Sequence, residues 1–273
     1  MKTLLVPIED HDGAGAVLAA ARTFAAAHDA KIDAVGMRLV PYQAVGAEPI
    51  VAVSLPAADE NVTEIARRIR ERFEQAATGA QGNSDRIRWR GGDPLEDADV
   101  AELARVYDMT IIGRPVSSGE GPRMSSLETI LFDSGRPILI VPPGPPPPHI
   151  GRHVVISWNR STEAAETMTA AMPLVKAAEQ VTILTVAGGT VSGPDAAALK
   201  DYLAVHGVEA RDVTDDQGTR AKPGAAILDF CKREGADLLI KSAYTQSRLR
   251  QMVFGGATST IISNTHLPVF MAN

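Results

Sequence analysis

The chain repeats itself. Leu4-Leu5-Val6-Pro7-Ile8-Glu9 lies over Val154-Val155-Ile156-Ser157-Trp158-Asn159, and SSLETILFDSGRPILIVPP lies over GATSTIISNTHLPVFMAN. Each copy alternates short apolar runs with helical patterns, which implies parallel sheets joined by right-handed helical crossovers. In the first copy the strands fall at Thr3–Ile8, Ile32–Val40, Asp85–Arg90, Met109–Ile112 and Pro137–Val141. Those of the second fall at His153–Trp158, Val181–Val186, near Glu209–Val213, at Leu238–Ile240 and at Pro268–Met271. Between the copies stands Pro142-Pro143-Gly144-Pro145-Pro146-Pro147-Pro148, which favours an extended, semi-rigid spacer over helix or sheet. The division is therefore 1–143, a linker at 144–150, and 151–273. The fold class is α/β, two tandem doubly wound, mainly parallel five-stranded units of Rossmann-like kind.

The helices carry their own marks. Val62, Ile65, Ile69 and Phe73 share one face of an amphipathic helix at Val62–Ala77, and Asn61 with Glu64 has the spacing of a capping box. Arg67, Arg68 and Arg70 on that helix are interspersed with Glu64, Glu71 and Glu74, the pattern of a solvated face rather than of a nucleic-acid surface. Pro223 opens a helix that Gly235 closes. Pro41–Asp59 is an irregular and rather apolar stretch, expected to cover the core or a partner subunit.

Several classes of function are disfavoured. A net charge of -6 does not suit a general nucleic-acid surface. No run of about 18 apolar residues suggests a membrane span, MKTLLVPIED lacks a signal-peptide pattern, and Cys231 is the single cysteine. A cytoplasmic location is expected. The six histidines show no metal-ligand spacing. Neither a G-x-S-x-G elbow nor a Gly-Lys-Ser/Thr phosphate loop occurs, so no catalytic role is expected. Gly13-Ala14-Gly15 is only a partial dinucleotide fingerprint, with Leu18 in place of its third glycine.

The strongest candidate site lies in Asp237–Asn273. There a buried strand leads through a polar loop to Gly255-Gly256 and a helix at Ala257–Thr265 with no acidic residue in its first turn. Such a helix leaves N–H donors and the positive end of its dipole for an anion.

This stretch, with its SRLRQMVFGG segment, resembles the C-terminal part of universal stress proteins, and the duplication resembles their tandem class over essentially the whole length. The resemblance implies a non-catalytic stress-response protein that binds ATP or AMP, weakly or selectively, in the second unit. Carried over, the site comprises Ser157, Trp158, Asn159, Val186, Ser242, Ala243, Thr245, Gly255, Gly256, Ala257 and Thr258. Asn159 stands where the family has an Asp, and Ser242 and Thr245 where it has glycines. Strain of about 1–3 kcal/mol at each of those two would weaken binding by a decade or more. The alternative is a nucleotide-free interaction module of the same fold. In the first unit, Ser125 and Glu128 read as a capping box that fills the equivalent phosphate position, with Glu9 at the strand end. The closing strands Ile138–Val141 and Val269–Met271 are expected to meet in an intramolecular pseudo-dimer. Whether two chains then form a homodimer stays open.

Overall fold

The computed structural model describes residues 1–38, 59–78, 86–116, 121–215, 222–243 and 256–273. The first half runs β1 (Thr3–Ile8), α1 (Ala14–His28), β2 (Lys31–Gly36), α2 (Asp59–Thr78), β3 (Ile87–Trp89), α3 (Asp97–Ala104), β4 (Met109–Gly113), α4 (Met124–Asp133) and β5 (Ile138–Val141). The second runs β6 (His153–Ser157), α5 (Thr162–Ala177), β7 (Gln180–Val186), α6 (Ala196–Val205), β8 (Ala210–Asp215), α7 (Pro223–Glu234), β9 (Leu238–Ile240), α8 (Gly256–Asn264) and β10 (Val269–Met271).

All ten strands form one sheet in the order β3-β2-β1-β4-β5-β10-β9-β6-β7-β8. Every pairing is parallel except the central one, where Val269, Phe270 and Met271 run antiparallel to Ile140, Leu139 and Ile138. The expected contact between closing strands therefore joins the two five-stranded units edge to edge. The apolar runs are continuous because both faces are covered. Leu4, Val6 and Ile8 pack into one layer with α1, while Leu5, Ile138 and Ile140 pack into the other with α3 and α4. The linker residues after β5 form bends and no regular element, and Ile150 is buried in the core.

Several local expectations need correction. β2 ends at Gly36 rather than Val40, and Met37 makes only an isolated bridge to Leu95. α2 begins at Asp59, so Asn61 lies inside the helix and is not its cap. Glu64 instead accepts from Arg67, at 2.9 and 2.6 Å. α4 begins at Met124 after an extended Arg123 with no side-chain cap bond, which places Ser125 second in the helix and removes the Ser125–Glu128 capping box. A capping box that was not anticipated, Glu96 with Asp99, opens α3. The segment Pro41–Asp59 lies, up to residue 58, outside the described residues.

Candidate functional site

In a parallel sheet with helices on both faces, ligands are received at the C-terminal ends of the strands. In the second unit β9, β6 and β7 are neighbours, with Ile156 registered to Ile240 and Ser157 to Leu184. Their C-terminal ends therefore bring Ser157–Asn159, Val186 and Lys241–Ala243 to one edge.

The turn after β6 is built from side chains that satisfy backbone. The Asn159 side-chain oxygen accepts from the Ser161 N–H (3.2 Å), and the Ser161 hydroxyl accepts from Ala164 N–H (3.1 Å), capping α5. Arg160 between them takes the left-handed conformation at φ 70°. The loop from 187 to 195 is fastened onto this turn. Val191 N–H donates to the Asn159 carbonyl (3.0 Å) and the Trp158 indole N–H to the Pro194 carbonyl (2.9 Å). Gly193 approaches so closely that a Cβ there would lie 2.2 Å from the Arg160 oxygen. Trp158 and Asn159 are consequently buried, at 4% and 6% exposure. Val186 is buried too, and its carbonyl accepts from Gly189 N–H (3.1 Å).

Beyond β9 the chain stays against β10, with Lys241 N–H donating to Phe270 O (3.0 Å) and Ala243 N–H to Ala272 O (3.1 Å). Lys241, Ser242 and Ala243 are all buried. The Lys241 ammonium donates to the Ser242 carbonyl (2.9 Å) and contacts its hydroxyl at 3.4 Å, and no described carboxylate makes an ion pair with it. Burial pushes its pKa down to about 8, against a smaller upward pull from Glu163. An uncompensated buried ammonium is costly.

Gly256 begins α8 in an exposed position, and a Cβ added there would meet nothing within 4 Å. The first turn of α8 has no acidic residue, Ala257 is half-buried and Thr258 is buried. Gly224 lets α7 lie against this turn, since a Cβ there would stand 2.5 Å from the Ala257 carbonyl oxygen. Thr245 and Gly255 lie outside the described residues.

The first unit places different groups at its own strand ends. Glu9 is buried, its Oε2 has no hydrogen-bond partner, and burial raises its pKa to about 7 despite Arg123. Asp10 accepts from Arg68 Nε (2.6 Å) and Arg72 Nε (2.8 Å), and Arg72 Nη1 also reaches Asp12 (3.1 Å). Burial alone would raise the Asp10 pKa, but the bonds from Arg72 and Arg68 outweigh it and hold the group below its usual range. His11 Nδ1 accepts from Gly13 N–H (3.0 Å), and burial, then Arg72, lowers its pKa. Asp10, His11, Asp12, Gly13, Arg68 and Arg72 line a cleft of about 610 Å³, together with Gly113, Arg114, Pro122 and Pro142.

Beside the cleft, the part of the first-unit expectation that needs correction is the role of Glu128. Glu128 sits fifth in α4 and is half-buried, with its pKa raised by burial. The carboxyl group beside the start of that helix is Glu9, which feels Arg123. Sequence reasoning also missed Arg68 and Arg72 as cleft residues. Their i, i+4 spacing off the apolar stripe of α2 was the available signal, but the partner that draws them inward, Asp10, is 58 and 62 residues away. Among the described residues no cluster of metal-ligating side chains occurs and no helix is long and apolar enough to cross a membrane.

No protein-family model matches the chain, and no curated protein matches it by sequence. Solved structures do. A universal stress protein from Archaeoglobus fulgidus superposes with a TM-score of 0.74 at 15% identity, over 99% of this chain and 96% of its own. A putative universal stress protein from Pseudomonas aeruginosa gives 0.57 at 12% identity, over 100% of this chain and 93% of its own. A functionally unknown protein from the same species gives 0.56 at 12% identity, over 100% and 92%. At such identities the likeness is one of fold, and it spans both units.

Proposed function

We propose that this chain, which shares the universal stress protein fold along its whole length, is a non-catalytic cytoplasmic protein of stress response. In this reading it binds an adenine nucleotide, ATP or AMP, in the second unit. The observation that carries the proposal is the buried Lys241 ammonium at the end of β9, the strand that precedes α8, whose first turn has no acidic residue. A buried cation with no ion pair among the described residues and a helix whose first turn has no acid both favour an anion, and a phosphate supplies it. Ser242 and Thr258 offer hydroxyls at the same strand and helix ends, and Asn159 retains amide N–H donors.

The test is thermal stabilisation of the full chain by ATP. Ligand at 100 times its Kd adds about 2.7 kcal/mol. Gly256→Glu should abolish that gain, because it sets a carboxylate against the phosphate, whereas Glu128→Ala in the first unit should leave it nearly unchanged. Gain that survives the first change would remove the site from α8. One observation favours a second reading, a nucleotide-free interaction module. The loop from 187 to 195 is bonded down over Trp158 and Asn159, where a base would otherwise enter. Absence of stabilisation of the unmodified protein at millimolar ATP supports that second reading.

A further inference from the structure

We propose that the cleft of the first unit is a site for a small carboxylate carried on an apolar body, gripped by Arg68 and Arg72. Its volume of about 610 Å³ is ample for such a ligand. The two guanidiniums sit one helical turn apart on α2 and are held by Asp10, which lines the same cleft. Each uses Nε on the same carboxylate, Asp10, at 2.6 and 2.8 Å. Asp10 thus fixes both planes, while the Nη2 groups make no described ion pair and keep their donors for a ligand. Neither guanidinium has a whole fork left, so the grip on a carboxylate would be one charge-assisted Nη2 donor from each arginine. His11 adds a neutral donor, because a ring whose Nδ1 accepts from Gly13 carries its proton on Nε2. Val17, Val116, Pro142 and Pro143 add apolar surface to the lining.

The same geometry argues against a polyphosphate. Arg68, Arg72 and Arg114 face Asp10 and Asp12, which leaves a single net positive charge among the lining groups. The backbone donors that a phosphate would need are spent or covered. Val116 N–H bonds Pro122 O (3.1 Å), Arg114 N–H bonds Val141 O (2.7 Å), and the Pro122 ring stands over Gly113, 2.9 Å from where a Cβ would be. The cation nearest to spare is Arg114, whose Nη1 is anchored on the Ser263 carbonyl (2.7 Å) and whose buried Nε has no partner.

The full chain is titrated with benzoate and, separately, with inorganic phosphate at constant ionic strength, by calorimetry and by backbone amide shifts. Benzoate should saturate in the millimolar range with shifts at His11, Gly13, Gly113 and Val116. Arg72→Gln should weaken it at least tenfold and Arg68→Gln should do likewise, while Arg67→Gln, on the outer face of the same helix, should leave it unchanged. Arg68→Gln serves if the Arg72 variant fails to fold. Failure of benzoate to saturate, indifference to both cleft arginines, or tighter Arg72-dependent binding of phosphate would each overturn the proposal. Because benzoate is not a nucleotide, these outcomes are read independently of the ATP measurements on Gly256→Glu.

Discussion

The turn after β1 and the turn after β6 occupy equivalent places in the repeat, yet they have been completed in opposite ways. After β6, Asn159, Arg160 and Ser161 are closed from within by short-range bonds and by a loop fastened over them. After β1, Asp10 is held by charges from far along the chain, and a cleft is left beside it. The difference shows that one backbone frame tolerates either a neutral, self-satisfied turn or an ionic, open one. The choice is made by the partners that neighbouring elements bring, and it can be attacked at each of its supports.

The largest effect is expected where the second unit's closure is buried. Trp158→Ala should cost about 3–5 kcal/mol in urea unfolding, the range for truncating a buried Trp. It should also speed hydrogen exchange at Val191 while leaving Gly13 protected. Equal acceleration at both amides would show that the two turns are not independent.

Titration should separate the units next, because their buried groups have shifts of opposite consequence. Glu9 has its folded pKa raised from 4.5 to about 7, so the folded chain binds more protons than the unfolded one in that window. Stability should fall by about 3 kcal/mol as pH rises from 4.5 to 7, and then level off. Lys241 has its pKa lowered from 10.5 to about 8, so there the unfolded chain binds more protons. Stability should rise by a similar amount, roughly 3 kcal/mol, between pH 8 and 10.5. Glu9→Gln should flatten the acid limb only and Lys241→Met the alkaline limb only, in urea midpoints measured across the range. A variant that flattens the wrong limb would break the assignment of one group to each unit.

The smallest effect concerns the helix that follows each turn. Ser161→Ala removes the cap of α5 and should cost about 1 kcal/mol. α1 starts after Gly13 with no side-chain cap at all, so the change brings the second unit to the condition of the first. A loss well above about 2 kcal/mol would mean that Ser161 holds the fastened loop as well as the helix.

Much of the architecture could be read in the sequence because parallel strands buried on both faces are nearly continuous apolar runs. Leu4–Ile8 and Leu238–Ile240 have few other uses in a folded chain. The meeting of the closing strands was also legible, from two apolar segments that repeat. Helix starts were less so. Ser125 looks like a cap beside Glu128, but the cap position falls to the extended Arg123, two residues earlier. The arginines of α2 illustrate the rest. Arg67 and Arg70 do pair along the helix with Glu64, Glu71 and Glu74, as the charge pattern suggests. Arg68, which also lies 3.6 Å from Glu64, and Arg72 turn their Nε groups to Asp10, a contact that no local pattern encodes. The cleft was illegible for that reason, whereas Ser157, Trp158, Asn159, Val186, Ser242, Ala243 and Gly256–Thr258 are named by the family resemblance.

The antiparallel seam between β5 and β10 has a consequence for biosynthesis. β10 follows all nine other strands in chain order, yet it lies in the middle of the sheet, between β5 and β9. A nascent chain therefore completes both flanks while the inner edges of β5 and β9 are still bare. Until residues 269–271 leave the ribosome, each of those edges is an open template on which a neighbouring nascent chain could dock. Fast arrival of three residues guards against exchange between polysome neighbours, and slowing translation just before them should raise the yield of interlocked dimers.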